Sequence, residues 1–398
     1  MPVDLDFTDP AFVADPYPGL KSLREEGVPV WSDHLGLYLA ATHEHANQVL
    51  RARTLGRIFQ PRTPEDEWST FNYLHADSIL DSEPPKHTRL RQLVTKAFNP
   101  KKIESLRPDI TRILTALLDE VEGHLRDGDA DIIAHFAEPL PVKVIAFLLG
   151  FPDSDEHLLR PWSQAIVKMY EVAPSEEDKA EARFAAQEFA DYVEALMHER
   201  KRHPGEDLIS DLAAVEEQGD RLSTHELIAT CVLLLNAGHE ASVNGFGNGF
   251  VQAMKRPDQA ALLREKPREI AATAIEEFLR FDAPLHLFER TATAPTNIGG
   301  VIVEPGQKIA ALLGSANRDE TVFDRADEMD LTRDPNPHIG FGAGIHFCIG
   351  APLARMEMTL ALPALMERFP TLSLAGEPVS RGTFVLRGWE SIPVTTDQ

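Results

Sequence analysis

Cysteine is nearly absent: two residues, Cys231 and Cys348, in 398. Two thiols cannot build a disulfide framework, so the chain reads as one made for a reducing compartment, and a cytoplasmic location is expected. Long apolar runs are lacking too. The best, Cys231–Leu235, falls far short of the roughly 20 residues that span a bilayer. The opening MPVDLDFTDPAFVADPYPG has neither a basic nor an apolar leader region, so no signal peptide is expected. Basic residues are in the minority, 39 Lys and Arg against 63 Asp and Glu, for a net charge of −24. That balance repels phosphate and argues against a nucleic-acid binder. Repeats, low-complexity tracts and Ser/Gly linkers are missing as well.

What is present is mostly helical pattern. Apolar residues recur at helical spacing through Lys102–Leu125 and again through Glu176–Arg202, which stops ahead of Pro204-Gly205. Residues 223–255 read as one long helix that opens on the capping-box signature Ser223-Thr-His-Glu226 and ends before Pro257. At 1.5 Å per residue such a helix spans ~48 Å, enough to cross a domain. Short β-rich pieces fall at Val28–Ala40, Thr291–Ile309 and Phe384–Val394. The expected class is mainly α with minor β sheets, in a single domain over residues 1–398.

One of the two cysteines stands in the most glycine-dense loop, Phe341–Arg355, FGAGIHFCIGAPLAR. A dinucleotide fingerprint fails there, because its third glycine would fall at Phe347. A zinc site would need more Cys or His at short spacing than His338 and His346 supply. A nucleophilic cysteine with a distant histidine stays open, although nothing else in the sequence assembles such a pair; a metal with one axial thiolate suits the composition better. Gly342, Gly344 and Gly350 let backbone approach a flat macrocycle. Pro352 suits a first helical turn, so Cys348 precedes a helix N-terminus, whose positive end favours thiolate over thiol.

The same stretch, with Phe341, Gly342, Gly344, His346, Cys348 and Gly350 in register, resembles the haem-binding signature of the soluble bacterial cytochrome P-450 monooxygenases. The resemblance implies their fold, a triangular prism with a long distal helix over haem b (iron protoporphyrin IX) and a proximal Cys loop. It makes Cys348 the iron ligand, whose thiolate donates electron density that favours O–O cleavage. Glu277-Phe-Leu-Arg280 resembles the family's E-x-x-R pair, a structural tie to the segment ahead of the cysteine loop, with Arg333 a candidate third partner. That segment departs from the common pattern, having Ala326 and Glu328 where Pro and Arg often occur. His87 and Arg91 resemble its H-x-x-x-R and, with Arg290 and His346, are expected to bind the haem propionates, because buried carboxylates need charge-assisted partners.

Leu233–Ser242, LLLNAGHEAS, resembles the family's A-G-x-[D/E]-T-T on the distal helix. Ala237-Gly238 would loosen the helix beside iron, and Glu240 matches the acid that passes protons inward. Ala241 stands where the family usually has threonine. Ser242 points about 100° away around the helix, so water or a substrate hydroxyl ranks above it as the replacement. His239 reads as a packing residue. Substrate contacts are expected from Phe71–Ile79, from Leu235, Ala237 and Ala241, from Leu285, His286, Leu287 and Phe288, and from Val385 and Leu386. This largely apolar lining suits a terpenoid, steroid or polyketide.

The run Lys86–Lys102 carries six Lys or Arg and no carboxylate. Alone it reads as a solvated helix face. With the resemblance it becomes a proximal docking patch for an acidic ferredoxin or flavodoxin. The leading expectation is a monomeric, oxygen-dependent hydroxylase fed by ferredoxin and its reductase. Two other classes stay open: a peroxide-driven peroxygenase, which usually carries Arg-Pro in the distal helix, and a non-catalytic haem sensor, which would tolerate loss of Glu240.

Overall fold

A computed structural model of the chain describes residues 5–128, 130–215 and 219–397. Helix accounts for 57% of it, with small sheets, as the sequence pattern implies. The chain gathers into two units, each assembled from separated segments. The first takes in residues up to Gly56, Leu114–Pro139 and the chain from Ala241 onward; the second takes Arg57–Ile113 and Leu140–Glu240.

The first unit is built around a five-stranded sheet. Its order is Val30–Ser32, Leu37–Ala40, Lys308–Leu312, Leu287–Ala292, Leu55–Gly56. All pairings are antiparallel except Leu37–Ala40 with Lys308–Leu312, where Leu39 sits opposite Ala310. Buried Ala46, Val49 and Leu50 of helix His43–Arg51 pack with the sheet's Ile309 and Ala311. Ile339 and Ala343 join the same cluster, so the glycine-rich loop is seated on the sheet's core. In the second unit, helix Glu176–Arg202 packs on helices Glu65–Ala76 and Glu156–Val167, with Trp162 stacked on Phe189.

The long helix runs from Thr224 to Met254, 31 residues. Both halves of its capping box form: Glu226 N–H donates to Ser223 Oγ at 3.2 Å, and Ser223 N–H to the Glu226 carboxylate at 2.9 Å. It stays α-helical through Ala237 and Gly238, so the expected loosening does not occur. Gly238 serves close packing instead, since a Cβ there would lie 2.5 Å from Ile145 Cδ1. The pattern at Lys102–Leu125 also resolves differently, into helices Pro100–Ser105 and Arg107–Asp127. Asn99 caps the first of these through its side chain.

Beneath the loop lies a fully buried ion cluster on helix Pro267–Phe281. Arg280 grips Glu277 through two bonds, 2.7 and 2.8 Å, with both side chains 0% exposed. Arg333 Nε reaches the same carboxylate at 3.2 Å, Asn336 at 3.1 Å, and Asp330 N–H at 2.8 Å. Arg280 also donates to the carbonyls of Asn317, Ala326 and Glu328. The departures at 326 and 328 therefore leave this contact intact, because it uses backbone oxygen rather than side chains. Removing one member of a buried pair strands the other charge, at about 3–5 kcal/mol. Glu277→Gln should lower the urea-unfolding free energy by that order; a loss under ~1 kcal/mol would mean that the cluster does not hold the loop.

Candidate haem-thiolate site

Gly342 and Gly344 both adopt φ of +71°, the left-handed region that side chains avoid. Gly344 is also pressed against the end of helix His43–Arg51: a Cβ would stand 2.5 Å from the Leu50 carbonyl oxygen. These two constraints fold the loop back on itself, and Cys348 N–H donates to the Phe341 carbonyl at 3.0 Å. Gly350, at φ −82°, has no left-handed requirement; it is the N-cap of helix Ala351–Arg368, with Pro352 in the first turn. A Cβ at Gly350 would lie 3.8 Å from the Cys348 sulfur. The thiol is half-buried and not in a disulfide, whereas Cys231 is fully buried, and burial raises its pKa far from thiolate.

A second ion group beside this loop was not legible in the sequence. Arg355 binds Glu276 through two bonds of 2.6 and 2.8 Å, and its guanidinium covers the Phe341 ring at 4.4 Å. His338 Nε2 lies 2.8 Å from Glu276 as well. Burial opposes the charge on Glu276, yet Arg355 and then His338 hold its carboxyl down to about 2. The field of Cys348 contributes to raising Arg355 above its ordinary value, after its bond to Glu276. Glu276 is one residue from Glu277, so the helix turns the two carboxylates about 100° apart and each serves a different partner.

The long helix carries an opening of small side chains. Between Leu235 and Phe250, only Ala237, Gly238 and Ala241 are not buried, and their spacing puts them on one face. Leu235 itself is fully buried. Glu240 and Ser242 flank Ala241 on either side, buried at 3% and 9% exposure. His239 is fully buried, its Nδ1 3.9 Å from the Glu240 carboxylate.

Of the remaining expected residues, Arg290 belongs to the first unit's sheet, 1% exposed, with its guanidinium 4.4 Å from the Phe288 ring. His346 closes a short turn, Gly344–His346, and is half-buried. His87 and Arg91 lie in the second unit on helix Lys86–Ala97, four residues apart on one face, with His87 buried. Leu285 bridges Leu386, and Leu285, Leu287 and Leu386 are half-buried, while Val385 is buried. His286 could serve the pocket or the core from sequence, and its surroundings are those of a packed residue. It is fully buried, against Tyr17 at 5.7 Å and Phe384 at 5.2 Å. Burial first, then Arg387, pushes its pKa down to about 3.

The basic run is less free than its composition suggests. Lys86 pairs with Asp77 at 2.6 Å, Lys102 with Asp211 at 2.9 Å, and Arg89 with Asp220 and Glu226. Lys86, Arg89 and Lys102 are thus each paired within their own unit.

The donor set fits a haem: an unbridged half-buried thiol ahead of a helix N-terminus, a glycine cradle, an apolar small-residue face, and a buried guanidinium suited to carboxylate. Comparison with known proteins gives the same class. The Cytochrome P450 family model matches residues 20–382. Nocardicin C N-oxygenase of Nocardia uniformis subsp. tsuyamanensis is 39% identical, over 98% of this chain and 97% of that protein. The 6-deoxyerythronolide B hydroxylase of Saccharopolyspora erythraea is 40% identical over 84% of this chain and 80% of its own. Among solved structures, P450BioI in complex with an acyl carrier protein ligated to hexadec-9Z-enoic acid superposes with a TM-score of 0.91. It is 33% identical and covers 97% of this chain and 99% of that one. Bacillus subtilis PksS, of bacillaene polyketide synthesis, gives 0.88 at 35% identity, over 99% and 100% of the two chains. The chain belongs to the cytochrome P450 family, whose members bind haem b through a cysteine thiolate, and it is a monooxygenase of that family.

Nine residues beyond Cys348, on the helix the cysteine precedes, stands Glu357, 3% exposed. Burial pushes its carboxyl up to about 8 from an ordinary 4.5. The folded chain keeps this proton at neutral pH while the unfolded chain loses it. Stability is therefore highest below the unfolded value and falls as pH rises between those two values. Glu357→Gln should melt above the parent at pH ~8 and alongside it near pH ~4.5. An equal difference at both pH values would show that the carboxyl is not held neutral.

Proposed function

We propose that this chain inserts one oxygen atom from O2 into a medium-to-large hydrophobic molecule of polyketide, terpenoid or steroid type. In this reading Cys348 is the iron ligand, and Arg290, His346, His87 and Arg91 answer the haem propionates. The observation that carries it is the Cys348 loop: two left-handed glycines that place one thiol ahead of a helix N-terminus. When bound, the thiolate-ligated iron supplies the oxygen activation. The protein's part is to hold the sulfur ionised, exclude water and ration protons.

Protons are the unusual element. Ala241 offers no hydroxyl on the face it shares with Ala237 and Gly238, and Ser242, the next residue, is buried. Glu240 is the carboxylate we assign to proton entry, with water or a substrate hydroxyl completing delivery at the open face. The polyketide option has support in the name of the PksS relative above, a P450 of bacillaene polyketide synthesis. The apolar wall Leu285, Leu287, Val385 and Leu386 suits such a molecule but would suit others. We assign electron supply to a separate ferredoxin or flavodoxin with its reductase, in the cytoplasm. Its docking patch is the basic run Lys86–Lys102, where Lys96 and Lys101 are exposed. The two units would then act together as one haem domain, in a monomeric chain.

Turnover should require ferredoxin, its reductase and NAD(P)H, and peroxide alone should not replace them; peroxide-driven turnover at comparable rate would favour the peroxygenase class. Ala241→Thr should change the peroxide released per oxygen consumed. Unchanged coupling and rate would strip the missing hydroxyl of mechanistic meaning.

A further inference from the structure

Val385 and Leu386 belong to a turn that is stitched to residues 284–286. His286 N–H donates to the Val385 carbonyl at 2.9 Å, Arg387 N–H to the Pro284 carbonyl at 3.0 Å, and Leu285 bridges Leu386. These bonds fix the two wall segments to each other. They do not fix where the pair stands, and that is decided behind them.

Behind the turn lies the N-terminal segment. Phe7 and Phe12 pack on Phe384, ring centroids 4.9 and 5.4 Å apart. The Arg387 guanidinium reaches into the segment and donates to the carbonyls of Val13 and Ala14, the latter at 2.9 Å. Its Nε donates to Asp282 at 2.9 Å. Asp282 is fully buried, and also accepts from Tyr17 Oη at 2.8 Å and Gln252 Nε2 at 3.1 Å. Asn248 of the long helix donates to the carbonyls of both Asp282 and Arg387, at 3.2 and 3.0 Å. Burial works against the charge of Asp282, but Arg387, with the Tyr17 hydrogen bond and Arg318, holds its carboxyl below the ordinary value.

A buried ion pair with most donors used has one good geometry, and a shift of any partner is felt by the rest. The arrangement thus couples three elements: residues 7–17, the long helix, and the wall turn. We propose that the N-terminal segment is a buttress that sets substrate selectivity from outside the pocket. Tyr17, Asp282 and Arg387 are its positioning residues. They hold Val385 and Leu386 at one height without touching substrate. The inference rests on the reading above that Leu285, Leu287, Val385 and Leu386 form the substrate wall.

The test uses haem-loaded protein and two iron-binding probes, imidazole, too small to reach the wall, and the bulky azole clotrimazole. Three variants are compared with the parent. Arg387→Lys keeps the charge but loses the planar fork, Tyr17→Phe removes one hydroxyl, and Leu386→Ala alters the wall directly. Spectral titration gives each affinity, and amide hydrogen exchange follows residues 9–17 and 384–388. Arg387→Lys is expected to weaken clotrimazole about tenfold, the equivalent of one lost polar contact, with imidazole little changed. Exchange should rise in both segments together. Tyr17→Phe should move both readouts the same way by less, and Leu386→Ala should weaken clotrimazole alone. If Leu386→Ala acts and Arg387→Lys raises exchange without touching clotrimazole, the buttress is wrong and the wall stands. If imidazole weakens as much as clotrimazole, with exchange raised throughout the unit, the network is a stability element only and the proposal falls. If Leu386→Ala leaves clotrimazole unchanged, the wall reading fails and takes the buttress with it.

Discussion

In the proposed reading, a sulfur that ligates iron as thiolate must be held against positive potential without being sealed from its partner. The Cys348 loop meets both demands by backbone geometry. Two glycines at φ +71° turn the chain so that the thiol precedes an 18-residue helix, where orphaned N–H groups carry partial positive charge. Arg355 adds a full charge nearby, itself oriented by Glu276 and the Phe341 ring. The loop is then fixed from two sides, by the sheet core through Ile339 and Ala343, and by the Glu277–Arg280–Arg333 cluster. Helix, sheet and ion cluster all act on the position of one atom.

The same economy shows in the long helix. Most of its length past Leu235 is buried, which frees a single face of small side chains to stay open. Its polar residues are spent elsewhere. Asn248 fastens the C-terminal turn, and Asn244 lies against Gly388, where any Cβ would stand 2.0 Å from its Oδ1. Ala241 brings no hydroxyl to the open face, which is why the proposed reading completes proton delivery from Glu240 with water or a substrate hydroxyl.

Local signals were the legible ones. The 223–226 capping box marked the long helix to within a residue, and Glu176–Arg202 was readable at both ends, because periodicity and caps are written in adjacent residues. The glycine–cysteine loop and the Glu277/Arg280 spacing were equally plain. What stayed hidden depends on pairs far apart in the chain. Glu276 with Arg355 and His338, Arg387 with Asp282 and Val13, and the partners of Lys86, Arg89 and Lys102 cannot be read from spacing. For His286 spacing left pocket and packing open together, and the Tyr17 and Phe384 rings it lies against come from distant parts of the chain. Buried Glu357 offered no sequence signal, as its raised pKa arises from burial alone.

The account stands on an ionised Cys348 sulfur bound to haem iron. The most direct measurement is the absorption spectrum of the reduced, haem-loaded protein under carbon monoxide, taken on the parent and on Cys348→Ser. The account predicts the strongly red-shifted Soret band of a thiolate ligand in the parent and its loss in the variant, with turnover lost alongside it. A variant that kept both the shifted band and its turnover would contradict it.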